Sequence, residues 1–297
     1  MNRTVRNILI AAAVLLPAGI IITMLGIFFG GRSQWGINYE NMSYEDDGGL
    51  ASDTVVLSDF DTLELDVSSI DVIILRGDSY SLSYRTEKNK VPEITEENGT
   101  LTVKQPSTGF ISFGFTTGYV ENSYTITVPE SAGVISVNID SSSGEIMAES
   151  VKLAGTINTS SGEVVMNDVE GDDISVTTSS GEIVADKLRM GKGKFTCSSG
   201  DISLLHSSAD EISCTTSSGE MVISDSEAGS VSCTASSGDV AIGLIGDESE
   251  YSYDIKTSSG DIFVNGTESE KQYVKEGTGD KRITVKTSSG EVGVNVK

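Results

Sequence analysis

The sequence predicts an all-β chain wound as a parallel β-solenoid of about nine coils of roughly 19 residues, preceded by one transmembrane helix. Three observations predict it. The tetrapeptide Ser-Ser-Gly-Glu/Asp recurs with its glycine at 144, 162, 181, 200, 219, 238, 260 and 290, at intervals of 18, 19, 19, 19, 19, 22 and 30. Apolar residues sit at alternating offsets around that glycine, among them Ile139, Ile157, Val176 and Phe195 before it and Ile146, Val164, Ile183 and Ile202 after it. The third is a run from Ile8 to Gly31 without a charged residue.

The N-terminal run is taken first. A helix over 8–31 is long enough for the ~30 Å hydrocarbon core of a bilayer, whereas the apolar stretch of a cleaved signal is roughly 7–15 residues. Arg3, Arg6 and Arg32 flank it, and all 44 acidic residues follow it. The positive-inside tendency therefore places residues 1–7 in the cytoplasm and the remainder outside, in a single-pass cell-membrane protein. A cleaved signal and a buried core helix are the alternatives. Trp35 and Tyr39 suit the membrane interface or an ordinary linker. Residues 32–52 lack apolar periodicity and read as a polar stalk.

Period-two alternation with β-branched residues means short strands with one face buried, meeting at a Ser-Ser-Gly corner. Glycine there is expected to allow positive φ. A unit of about 19 residues cannot close its own core, so each coil buries its inward side chains against the next, about 4.8 Å away. The segment LELDVSSIDVIIL fits the same frame with Ile70 in the glycine's place, which makes it a first coil. Between it and the regular array, about 76–133 reads as a hairpin-rich insertion beside the N-terminal end. The solenoid domain as a whole spans 53–297, and the polar segment GTESEKQYVKEGTGDKR is expected to cover its C-terminal coils.

Charge narrows the partners. With 44 acidic and 20 basic side chains the net charge is −24, which excludes the basic patch that nucleic-acid binding needs. Three cysteines cannot build a disulfide framework, and one histidine leaves few transition-metal ligands.

The succession of LELDVSSIDVIIL, an insertion closed by ITVPES, and repeated TSSGE or SSGD coils resembles a bacterial candidate-adhesin solenoid domain of unknown function, over roughly residues 53 to 297. Its membrane-anchored members are similar to the LiaG-type proteins of Gram-positive envelope-stress operons. The resemblance implies a non-enzymatic envelope module and carries over no catalytic residue.

The candidate sites are few. Glu145, Glu163, Glu182, Asp201, Glu220, Asp239, Asp261 and Glu291 follow the corner glycines and form an acidic column. It reads as a solvated ladder or as a Ca²⁺ strip, since that hard cation takes several carboxylate oxygens. No other cofactor is implied. Phe110, Phe113, Phe115 and Tyr119 lie among glycines in the insertion, either packed over the solenoid end or exposed as a partner contact. His206 reads as a surface turn residue, and Cys197, Cys214 and Cys233 as buried free thiols. The function this supports is an extracytoplasmic adhesin or envelope-binding module, its partner a cell-wall component or envelope protein. A self-assembling solenoid and a carbohydrate-active enzyme are the alternatives.

Overall fold

Side chains that alternate between apolar and polar bury every second residue of a strand, as Ile135–Ser141 does with Ile135, Val137, Ile139 and Ser141. The computed structural model describes residues 50–106 and 122–297. The apolar run at 8–31, nearly all of the stalk, Trp35, Tyr39, Phe110, Phe113, Phe115 and Tyr119 lie outside them. Strands dominate the described residues, with two single-turn 3₁₀ segments at Lys88–Lys90 and Glu248–Glu250.

Each repeat supplies one strand to each of two faces. On the first face Ile135–Ser141, Leu153–Thr159, Glu170–Thr178, Arg189–Cys197 and Ser208–Ser218 pair in parallel, in register. On the second face the short strands Ile146–Glu149, Val164–Asn167, Ile183–Asp186 and Ile202–Leu205 do the same. Met221–Ser237 runs through a corner and serves both. The columns expected from the sequence stack as read: Ile139 on Ile157, Val176, Phe195, Cys214 and Cys233. These side chains are at most 2 % exposed and form one continuous core between the faces.

Spatial order departs from chain order at both ends. The first coil, Thr62–Val67 with Asp71–Gly77, is not terminal, because Thr100–Lys104 and Ser123–Pro129 pair on its far side. The insertion thus holds a further strand pair as well as hairpins. Among the described residues ten strand pairs stack, one more than the nine expected. At the other end Lys281–Ser289 and Val292–Val296 slot between the 221–244 coil and the Tyr251–Ser259 and Ile262–Val264 pair. The last coil in the chain is therefore next to last in space.

Both ends close with antiparallel strands. Glu93–Glu97 covers Thr100–Lys104 through an Asn98-Gly99 turn, and Thr267–Ser269 covers Ile262–Val264 through Asn265-Gly266. All four turn residues have positive φ, from 46° to 83°, as a two-residue hairpin of right-handed twist requires. Ser81–Glu87 covers Ser123–Pro129, and Gln272–Lys275 covers Tyr251–Ser259.

Candidate functional site

The corner that carries the acidic column is built from its serines, threonines and glycines. The buried residue three before the glycine bridges the turn: Thr159 and Thr178 each accept the glycine N–H at 3.0 Å through Oγ1. Cys197 does the same through Sγ at 2.9 Å and donates to the Gly181 carbonyl at 3.2 Å, so a thiol takes a hydroxyl's place. All three cysteines are free and buried. Cys214 and Cys233 lie side by side in register, and their mutual hydrogen bond together with burial pushes the Cys214 thiol well up.

Glycine is required here for a reason other than the one expected. Positive φ occurs only at Gly260 and Gly290, at 138° and 149°, of the eight corners. The common factor is close approach: a Cβ on Gly181 would lie 1.8 Å from the Gly162 carbonyl oxygen, and one on Gly162 would lie 2.0 Å from that of Gly144. Each glycine stacks on the last, and no side chain fits between.

The acids that follow these glycines are brought into one column. In space it starts at Asp71, runs through Glu145, Glu163, Glu182, Asp201, Glu220 and Asp239, then reaches Glu291 before Asp261. Asp71 is a ninth rung. The clue was Ser68-Ser69-Ile70-Asp71, which keeps serines and acid and changes only the glycine.

Two devices make like charges at this spacing tolerable. Where the rung is aspartate, its short carboxylate accepts the backbone N–H of the next rung: Asp71 from Glu145 at 2.9 Å, Asp201 from Glu220 at 2.7 Å, and Asp239 from Glu291 at 2.8 Å. At the glutamate rungs, burial and neighbouring charge favour the protonated form instead. Burial pushes Glu163 up to about 7, aided by Glu145 and Glu182 on either side. Glu145, Glu182 and Glu220 are raised chiefly by burial and then by Asp71, Asp201, and Asp201 with Asp239 respectively. Glu163 Oε1 is buried with no hydrogen-bond partner among the described residues. Also among these residues, no group of three or more His, Cys, Asp or Glu is placed to hold a metal ion.

The opposite corner differs in every respect. Six residues after the glycine, Ser150, Asp168, Lys187, His206 and Asp225 all take a left-handed turn with φ between 47° and 56°. His206 is thus a surface turn residue, its side chain 60 % exposed and its Nδ1 2.7 Å from Asp186. Arg189 pairs with Asp168 at 2.9 Å and Lys297 with Asp225 at 3.4 Å.

The fold agrees with known proteins. Residues 60–295 match the Toastrack DUF4097 family. The chain belongs to that family. No curated protein matches it. Solved structures share the Toastrack fold at low identity. A candidate adhesin from Parabacteroides distasonis ATCC 8503 has a TM-score of 0.53 at 14 % identity, covering 84 % of this chain and 98 % of its own. A candidate adhesin from Bacteroides fragilis NCTC 9343 has a TM-score of 0.51 at 10 % identity, with the same two coverages. A third, from Parabacteroides distasonis ATCC 8503, is described as a candidate lipid-binding protein, with a TM-score of 0.51 at 20 % identity over 84 % and 98 %.

Proposed function

We propose that this Toastrack chain is a non-enzymatic binding module of the cell envelope, held outside the membrane by the segment 8–31 and acting as an adhesin or stress-associated binding protein. The observation that carries the reading is the repetition of one environment. Coil after coil presents the same Ser-Ser-Gly-acid corner between parallel strands, and the acids share a column instead of forming one distinctive pair. Such a surface suits an extended partner touched at many equivalent points. The candidate adhesins of the same fold support the reading by analogy.

The closed ends weigh against end-to-end assembly as the main role. On the first face at one end the outermost strand, Glu93–Glu97, carries three glutamates, and charged edge strands oppose further pairing.

The test uses the full chain expressed in a bacterium with a cell wall. Protease added to intact cells should digest residues 53–297 and spare the N-terminus. Detergent-solubilised full chain should co-sediment with purified cell walls. Protection of the solenoid from protease, or no retention by walls, would sink the proposal.

A further inference from the structure

Outside the acidic corner, one depression crosses the middle of the first face. It has a volume of about 450 Å³ and spans five successive strands, from Gly155 in Leu153–Thr159 to Ser232 in Met221–Ser237. Four steps of about 4.8 Å make it a trough about 19 Å long, at right angles to the strands. Its floor is the backbone of one register column, Gly155, Ile174, Gly193 and Ile212. The floor is fixed by packing. A Cβ on Gly155 would lie 2.1 Å from the Val137 carbonyl oxygen, and one on Gly193 would lie 2.5 Å from Met190 Sδ.

Two outward columns make the walls. One alternates charge in register, Asp173 beside Lys192 beside Glu211, with Lys192 Nζ 3.6 Å from the Glu211 carboxylate. The other carries Ser175, Lys194, Ser213 and Ser232 in one line. Two acids thus meet two lysines, and the trough is charge-balanced in a chain whose net charge is −24. Polyanions and polycations alike find no complement there. What remains is an apolar floor between walls that together donate and accept hydrogen bonds along the trough. That pairing matches a pyranose chain, which has apolar C–H faces and hydroxyl edges and advances by about one sugar per coil.

We propose that this trough binds a single strand of an uncharged β-1,4-linked polysaccharide, laid along the solenoid axis. The proposal rests on the envelope-binding reading and names the polymer and the face it touches. Asn138 occupies the same outward column one coil before the trough and takes no part.

The test titrates detergent-solubilised full chain with β-1,4-linked N-acetylglucosamine oligomers of two, four and six units. Affinity should rise at least tenfold from the dimer to the tetramer and then level off, because the trough ends. Ser175→Tyr and Ser213→Tyr, which each place a ring in the trough, should weaken hexamer binding at least tenfold without lowering the melting temperature, whereas Asn138→Tyr should bind like the parent. No binding at millimolar oligomer, or equal binding by both tyrosine variants, would overturn the proposal. The same variants separate it from the envelope reading. Walls that retain both tyrosine variants undiminished refute the trough and leave wall binding standing. A parent chain that binds the hexamer with the expected variant pattern but is not retained by walls establishes the trough and refutes the wall.

Discussion

In the five coils whose Ser-Ser-Gly corners lie at 144 to 219, the two corners solve the same geometric problem in opposite ways. At the Ser-Ser-Gly corner the backbones approach so closely that only glycine fits, and each such corner adds another acid to one column. At the far corner Ser150, Asp168, Lys187, His206 and Asp225 accept a left-handed turn with their side chains in solvent, and signs of charge are mixed and paired. Close approach between coils constrains residue type absolutely. A strained dihedral constrains it weakly, because the cost stays within one residue. Repetition is accordingly strict at the first corner and loose at the second.

Breaking the tight corner gives the largest expected effect. Gly181→Ala would place a Cβ 1.8 Å from a backbone oxygen that cannot move without parting two coils. A loss of about 3 kcal/mol is expected, at the upper end for overpacking, and would be read from the urea midpoint. A loss below about 1 kcal/mol would mean that the stack parts easily, and the account of the glycines would fail.

The matching change at the loose corner should run the other way. Lys187 holds φ at 56°, a conformation that costs a non-glycine residue about 1–2 kcal/mol, while glycine loses about 0.5–1 kcal/mol more backbone entropy on folding. Lys187→Gly should therefore stabilise by about 0.5 kcal/mol. Its contact with Asp186 is loose at 3.9 Å and its own end is exposed, so losing it counts for little. Destabilisation comparable to that of Gly181→Ala would erase the contrast between the corners.

These two corners also explain what was legible in the sequence. The tight one is visible because coil-to-coil contact forces one residue type, and with it came the buried columns and eight rungs of the ladder. Asp71 was overlooked because its corner has Ile70 for glycine, although both serines and the acid remain. The loose corner left no motif, since serine, aspartate, lysine and histidine all tolerate it. Coil order was hidden for another reason: repeats in register stack equally well in several orders, so motif spacing alone cannot rank them. Two traces were there to read. The 22- and 30-residue intervals mark the slot that the last coil returns to fill, and Asn98-Gly99 and Asn265-Gly266 mark the capping hairpins.

The ladder sharpens the comparison through pH. Glu163 is raised from the ordinary 4.5 to about 7, so the folded chain binds more protons than the unfolded one between those values. Its stabilising contribution is complete below about 4.5 and is lost as pH rises through 7. Glu145, Glu182 and Glu220 act in the same direction. The melting temperature should thus fall between pH 5 and pH 8. Glu163→Gln should flatten that slope and, with neighbouring charges in partial contact with water, gain up to about 1 kcal/mol at pH 8 and almost nothing at pH 5. A slope unchanged by the substitution would mean that the ladder is not the titrating element.

Divalent cations give the smallest effect and separate the two readings of the ladder. A column offering one carboxylate per coil gathers counterions diffusely, and diffuse screening depends on valence, not on ion size. An ordered calcium strip would need six to eight oxygens around each ion, a demand that Mg²⁺, with its tighter octahedral shell, does not share. Consecutive rungs lie about 4.8 Å apart, and the aspartates already spend an oxygen on the next backbone N–H. Ca²⁺ and Mg²⁺ at equal millimolar concentration should therefore raise the melting temperature alike, by about 1–2 °C at pH 8, and by less at pH 5, where the glutamates are protonated. A saturable rise with Ca²⁺ alone, abolished by Glu163→Gln, would show that the carboxylates of neighbouring coils close around an ion, and that the tight corner binds as well as builds.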